Sequence, residues 1–179
     1  MMQALARLEM PVLEWLHALH GNAVLDGFML FVSWLGNGGM VFIALTVLFL
    51  CFRRTRKLGG VCASALVLDA LIVNAVLKPL VARARPFAGG VFELLLEAPG
   101  DYSFPSGHTA AAFAFAFALE PAGKKWRAAA VAFACLTGFS RMYLTVHFPT
   151  DVVCGAAIGA LCGKAAVFLW KKAFGHDII

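Results

Sequence analysis

The chain has 179 residues, 61% of them hydrophobic and only 14% charged, with a formal net charge of +5. A soluble domain of this length covers itself with polar side chains; this one has too few, and its mean hydropathy of +0.83 belongs to an integral membrane protein. Nucleic acid is excluded as a partner by where the positive charge sits. Arg53, Arg54, Arg56 and Lys57, then Lys124, Lys125 and Arg127, then Lys171 and Lys172 form short clusters that each border an apolar run.

Residues 1–21 read as an amphipathic helix in the membrane interface. At about 100° per residue, Leu5, Leu8, Val12, Trp15, Leu16 and Leu19 fall on one side, and Gln3, Arg7, Glu14 and His17 fall opposite. No basic region precedes an apolar one here, so no cleavable signal peptide is expected.

Residues 22–179 form the second unit, an all-α bundle of six expected transmembrane helices. The apolar segments run over 22–35, turning at GNGG, then 40–52, 58–81, 107–119, 126–143 and 149–170. The first, second and fourth are short against the ~20 residues that usually cross the hydrocarbon core. The stretch AFAFAFAL in the fourth alternates with the period of a strand, but a lone strand leaves its backbone unsatisfied in lipid, so a helix is expected. Gly155, Gly159 and Gly163 recur every four residues in the sixth segment and point to close helix packing within the bundle. Cys51, Cys62, Cys135, Cys154 and Cys162 form no CxxC pair and read as small apolar residues.

The positive-inside rule orients the bundle. With both termini cytoplasmic, Arg7 and the three basic clusters lie inside, and the 82–106 and 144–149 loops lie outside. Lys78, Arg83, Arg85 and Arg141 then break the pattern, because they fall on the outer side.

Those exceptions sit in three polar stretches at the outward helix ends: KPLVARARP (78–86), PSGH (105–108) and SRMYLTVHFPTD (140–151). Lys78, Arg85 and Arg141 supply fixed positive charge, and guanidinium forks match phosphate oxygens. Ser106 and Gly107 open a helix whose free N–H groups suit an anion. His147 and Asp151 stand four apart beside the helix-starting Pro149, so the carboxylate can fix one imidazole nitrogen and leave the other nucleophilic. His108, from a different helix, is free for general acid and base work. Together these parts suit phosphoryl transfer through a phosphohistidine, with neither metal nor cofactor.

The three stretches fill the patterns K-x6-R-P, P-S-G-H and S-R-x5-H-x3-D without a departure. In this the chain resembles the type 2 phosphatidic acid phosphatase family, which shares its core with vanadium-dependent haloperoxidases. The resemblance implies that Lys78, Arg85, Ser106, Gly107 and Arg141 bind phosphate. It further implies that His147 attacks phosphorus, Asp151 orients it, and His108 protonates the leaving oxygen and then activates water. The implied substrate is a lipid phosphate or diphosphate held in the bilayer of a plasma (inner) membrane. Undecaprenyl diphosphate leads, with phosphatidylglycerol phosphate and phosphatidic acid as alternatives.

A haloperoxidase would use the same pocket, but the related peroxidases are soluble. A transporter needs polar residues along a path, and here they gather at one face. A non-catalytic scaffold would not keep every motif residue. Arg83, outside the motif, reads equally as a headgroup contact or an interfacial anchor. Asp69 is too deep for the phosphate and is expected to serve helix packing. Asp26 reads as a residue of the inner interface, and His17, His20 and His176 as interface or tail residues. VFELLLE (91–97) is expected to be a short helix over the site or a tethering loop.

Overall fold

The computed structural model describes residues 2–175, with side chains from residue 5 onward; His176 and the Gln3 side chain lie outside the described part. Its helices are α1 (Met2–His17), α2 (Ala23–Leu35), α3 (Met40–Cys51) and α4 (Arg56–Ala70). A π-helical stretch (Leu71–Leu77) joins α4 to α5 (Lys78–Val81), and α6 (Gly107–Ala118), α7 (Lys124–Tyr143) and α8 (Pro149–Phe174) follow. Among the described residues there is no strand, and AFAFAFAL is helical.

The GNGG turn does not reverse the chain. α2 and α3 meet at a bend of 43° and continue in one direction. Gly38 and Gly39 make the bend with φ of +57° and +71°, the left-handed region where a side chain is costly. Space at the bend is tight as well, since a Cβ on Gly36 would stand 3.2 Å from Thr137 and 3.3 Å from His108. The two short segments therefore form one bent pair, and only as a pair are they long and apolar enough to cross a membrane. By length and composition, the helical stretches Arg56–Gly89 and Pro149–Phe174 are each able to cross a membrane, and α2 with α3 passes the same test as a pair.

Among the described residues, α1 packs beside Phe148 at the start of α8, whereas Trp170 near the far end of α8 lies against Gly60 of α4. The first turn of α2 meets the last turn of α7, where the Tyr143 hydroxyl donates to Asp26 at 2.6 Å. α1 docks at that same end, with Leu13 and Leu16 packed on Phe92 and Phe148. The expectation that α1 shares a face with the Arg53–Lys57 cluster and the C-terminal end is thus corrected, and Asp26 moves with it to the end that carries the three motifs. His20 also belongs there, bonded to the Tyr143 carbonyl at 2.8 Å. The expected single apolar side of α1 divides in two: Leu13 and Leu16 face the protein, while Leu8, Val12, Trp15 and Leu19 are exposed.

α6 occupies the centre, touching α4, α7 and α8. Its alanines 110, 112, 114, 116 and 118 are all buried. A Cβ at Gly155, Gly159 or Gly163 would come within 2.7, 2.0 or 2.6 Å of the carbonyl oxygens of Ser106, Ala110 and Ala114. Helices in lipid gain little from hydrophobic burial against one another, so this backbone contact is how α8 grips α6. It fixes Asp151, at the start of α8, against Ser106 at the start of α6: the Ser106 amide donates to the Asp151 carbonyl at 3.0 Å. The 91–97 stretch forms no helix; its Leu94, Leu95 and Leu96 pack on a cluster of Met29, Tyr143, Leu144 and Val146. Of the five free cysteines, Cys62 and Cys162 are core residues, whereas Cys51 and Cys135 are exposed.

Candidate active site

A cavity of about 780 Å³ opens between the α2–α3 bend, the α4–α5 rod, α6 and α7. Lys78, Arg85, Gly107, His108, Arg141 and His147 all line it. Ser106 and Asp151 are fully buried. All eight residues singled out in the sequence therefore fall at one end of the bundle, six on the wall and two within the packed protein.

His147 sits in the short loop before α8 and is 1% exposed. Its Nδ1 lies 3.7 Å from Asp151 Oδ2, and its Nε2 lies 3.2 Å from Arg85 Nη1. The imidazole is thus oriented with Nδ1 toward the carboxylate and Nε2 toward the cationic wall. Burial pushes its pKa down to about 4, with Arg85 and Arg141 adding to the shift and Asp151 opposing it. Burial thus favours the neutral ring, and because a guanidinium can only donate, Arg85 Nη1 points an N–H at the Nε2 lone pair.

Asp151 is held from several sides. Its Oδ2 accepts from the Phe148 amide at 2.9 Å and from the Ser103 hydroxyl at 2.5 Å, and its Oδ1 accepts from Arg83 at 2.6 Å. Pro149 starts the helix with a fixed φ and no donor, which leaves Asp151 to satisfy the preceding amide. Arg83 is neither a headgroup contact nor an interfacial anchor. It is 5% exposed and stacks over Phe148, 3.9 Å from the ring centre.

The cationic wall has its own counter-ion. Asp101 bonds Lys78 Nζ through one carboxylate oxygen and Arg85 Nη2, at 2.5 Å, through the other. Arg85 also donates to the Asp101 and Val146 carbonyls. Partial burial works against the charged form of Asp101, yet the bonds from Lys78 and Arg85 outweigh it and hold the pKa down to about 2. Its side chain stays half-exposed. Arg141 reaches Ser33 on α2, while its Nε has no partner. Gly107 leaves the α6 N-terminus open: a Cβ there would face Asn74 at 3.4 Å and Lys78 Nζ at 3.6 Å.

The π-helical stretch decides what else the cavity contains. On an α-helix, nine residues turn through ~180° beyond full turns, so Asp69 and Lys78 would face opposite ways. Winding through i→i+5 bonds turns each residue less, and Asp69, Asn74 and Lys78 all line the same cavity. Asp69 is buried on that wall, with Oδ1 unpartnered.

Sequence reasoning missed Glu9, Ser33, Asp101 and Ser103. Asp101 and Ser103 lie just before PSGH and carried a proximity signal; Glu9 and Ser33 carried none. Among the described residues, no group of three or more His, Cys, Asp or Glu side chains is arranged to hold a metal ion.

The chain is similar to known proteins in sequence and in fold. The pattern described as the PAP2 superfamily matches residues 57–174. A protein of Sulfolobus acidocaldarius named undecaprenyl-diphosphatase is 38% identical over 140 residues, covering 77% of this chain and 67% of that protein. The crystal structure of Aquifex aeolicus LpxE superposes with a TM-score of 0.76 at 31% identity, covering 90% of this chain and 95% of that one. A PAP2-type phosphatidylglycerolphosphate phosphatase from Bacillus subtilis superposes with a TM-score of 0.67 at 26% identity, covering 93% and 96%.

Proposed function

The chain belongs to the PAP2 superfamily and is a membrane lipid phosphatase, and we propose that it hydrolyses undecaprenyl diphosphate through a phosphohistidine at His147. The observation that carries the chemistry is the pairing of Nδ1 with Asp151 and of Nε2 with Arg85, in a cavity that His108 also lines. Nε2 attacks the terminal phosphorus; the new P–N bond forms as the P–O bond to the lipid phosphate breaks. His108 gives its proton to the leaving oxygen. It then takes one from water, which cleaves the P–N bond, releases inorganic phosphate and restores His147. Lys78, Arg85, Arg141 and the open N-terminus of α6, at Ser106 and Gly107, hold the phosphoryl oxygens as charge develops. The reaction uses no metal or cofactor.

Substrate choice is supported by the Sulfolobus relative and by the cavity itself. Away from the cationic wall, its lining includes Leu30, Trp34, Ile43 and Leu66 from α2, α3 and α4, a path for an apolar tail. The Bacillus neighbour supports a second substrate, phosphatidylglycerol phosphate. In the membrane, the motifs and α1 are at the extracytoplasmic face, with the exposed Leu8, Val12, Trp15 and Leu19 in the interface; the positive-inside rule supports this orientation. The Arg53–Lys57, Lys124–Arg127 and Lys171–Lys172 clusters lie in the cytoplasm.

The test is phosphate release by the purified protein in detergent with chelator present. Undecaprenyl diphosphate, phosphatidylglycerol phosphate and phosphatidic acid are offered side by side. Release fastest from undecaprenyl diphosphate, undiminished by chelator and absent in His147→Ala, is the expected outcome. No release from any of the three by folded protein would overturn the proposal.

A further inference from the structure

A buried ionic contact of α1 meets the arginine that holds the Asp151 carboxylate. Glu9 is 6% exposed, and its Oε2 accepts from Arg83 Nη2 at 2.5 Å. Its Oε1 accepts from the Thr150 amide at 2.7 Å, one of the free N–H groups of the first turn of α8. Arg83 commits its other terminal nitrogen to Asp151 Oδ1, at 2.6 Å, and to the Thr150 hydroxyl, at 2.8 Å. A continuous chain therefore runs from Glu9 through Arg83 and Asp151 to His147.

The charges in that chain decide what Glu9 does. A guanidinium facing Asp151 alone would neutralise it, and the Nδ1–H of His147 would then see little negative field. With Glu9 on the far side, two carboxylates share one guanidinium, and the group keeps a net negative charge beside the imidazole. That charge favours the imidazolium-like character His147 acquires as it bonds to phosphorus. Low dielectric makes the balance matter more than it would at a surface.

We propose that Glu9 of α1, acting through Arg83, is a positioning residue for the His147–Asp151 pair, so that the N-terminal helix completes the catalytic machinery. This rests on His147 being the nucleophile. Glu9 touches neither substrate nor the phosphate-binding cations, so its loss acts on turnover and not on binding.

The experiment measures kcat, KM and inhibition by inorganic phosphate for wild type, Glu9→Gln, Glu9→Asp, Arg83→Met and the Glu9→Gln/Arg83→Met double variant. Glu9→Gln is expected to lower kcat about tenfold, with KM and the phosphate inhibition constant unchanged; Glu9→Asp, which keeps the charge, recovers part of the loss. Arg83→Met leaves two buried carboxylates facing one another, so it costs more than Glu9→Gln, and the double variant is expected to exceed it in kcat. That compensation is what a merely structural contact would not produce, since independent losses of packing multiply. Unchanged phosphate inhibition certifies that each variant is folded at its site. Wild-type kcat in Glu9→Gln, a loss confined to KM, or a double variant slower than Arg83→Met would each overturn the inference. An inactive wild type would instead overturn the function on which it rests.

Discussion

The site has two walls, and they are built differently. On one, Lys78 and Arg85 face an accessible cavity and are met by Asp101, a half-exposed carboxylate that an incoming phosphate can replace. On the other, His147, Asp151, Arg83, Glu9 and Ser103 are buried and bonded to one another. In the proposed reaction, the first wall holds charge that is exchanged with each turnover. The second holds charge that must not move, because a nucleophile gains from fixed geometry and from dipoles that need no reorganisation. Exposure of the acidic partner thus separates the two roles: Asp101 is half-exposed, while Asp151 and Glu9 are buried.

If the division is right, the largest loss short of removing His147 comes from the second wall. Asp151→Asn keeps the shape but offers an amide where Ser103, the Phe148 amide and Arg83 all donate to a carboxylate. A fall of about 10⁴ in kcat is expected, on the scale seen when an orienting aspartate is lost from a catalytic histidine. Steady-state phosphate release checks it, and a fall below tenfold would mean that the carboxylate is not what orients the imidazole. On the first wall, Arg85→Lys keeps the charge and loses the fork that spans Asp101, Val146 and His147. A drop of about 10² in kcat/KM is expected, read from initial rates at low substrate.

Asp101→Asn should act least and in the opposite sense on binding. Removing the resident counter-ion frees Lys78 and Arg85, so inorganic phosphate should inhibit several-fold more tightly. Measuring that inhibition sharpens the comparison: weaker phosphate binding in the variant would make Asp101 an organiser of the cradle and not its stand-in occupant.

What the sequence made legible follows from how each contact is encoded. Lys78, Arg85, Ser106, Gly107, His108, Arg141, His147 and Asp151 sit in short motifs between apolar segments, so the order of the segments, the charge rule and the resemblance of the motifs together placed them at one face. The apolar segments and the Gly155–Gly159–Gly163 row were legible from periodicity. The α2–α3 bend was not, because GNGG is compatible with a reversal as well as with a kink, and only packing against Thr137 and His108 separates them. With that ambiguity, α1 and Asp26 were expected at the opposite end from the motifs, where the contacts with Phe148 and Tyr143 put them instead. Glu9 is 142 residues from Asp151 and meets it only through Arg83, a relation that no local pattern records. The π-helical stretch was hidden for another reason: LIVNAVL has no residue that announces a change of winding, yet the change brings Asp69 onto the cavity wall.

The central claim is that His147 carries the phosphoryl group. The most direct measurement is to mix the protein with lipid diphosphate labelled at its terminal phosphate, quench in denaturant within the first turnover, and locate the label by peptide mapping. The account predicts label on His147 as an acid-labile, alkali-stable phosphoramidate, none on His147→Ala, and accumulation in His108→Gln, where water activation is lost. A wild type that turns over rapidly but never yields labelled His147, with His108→Gln no different, would contradict it.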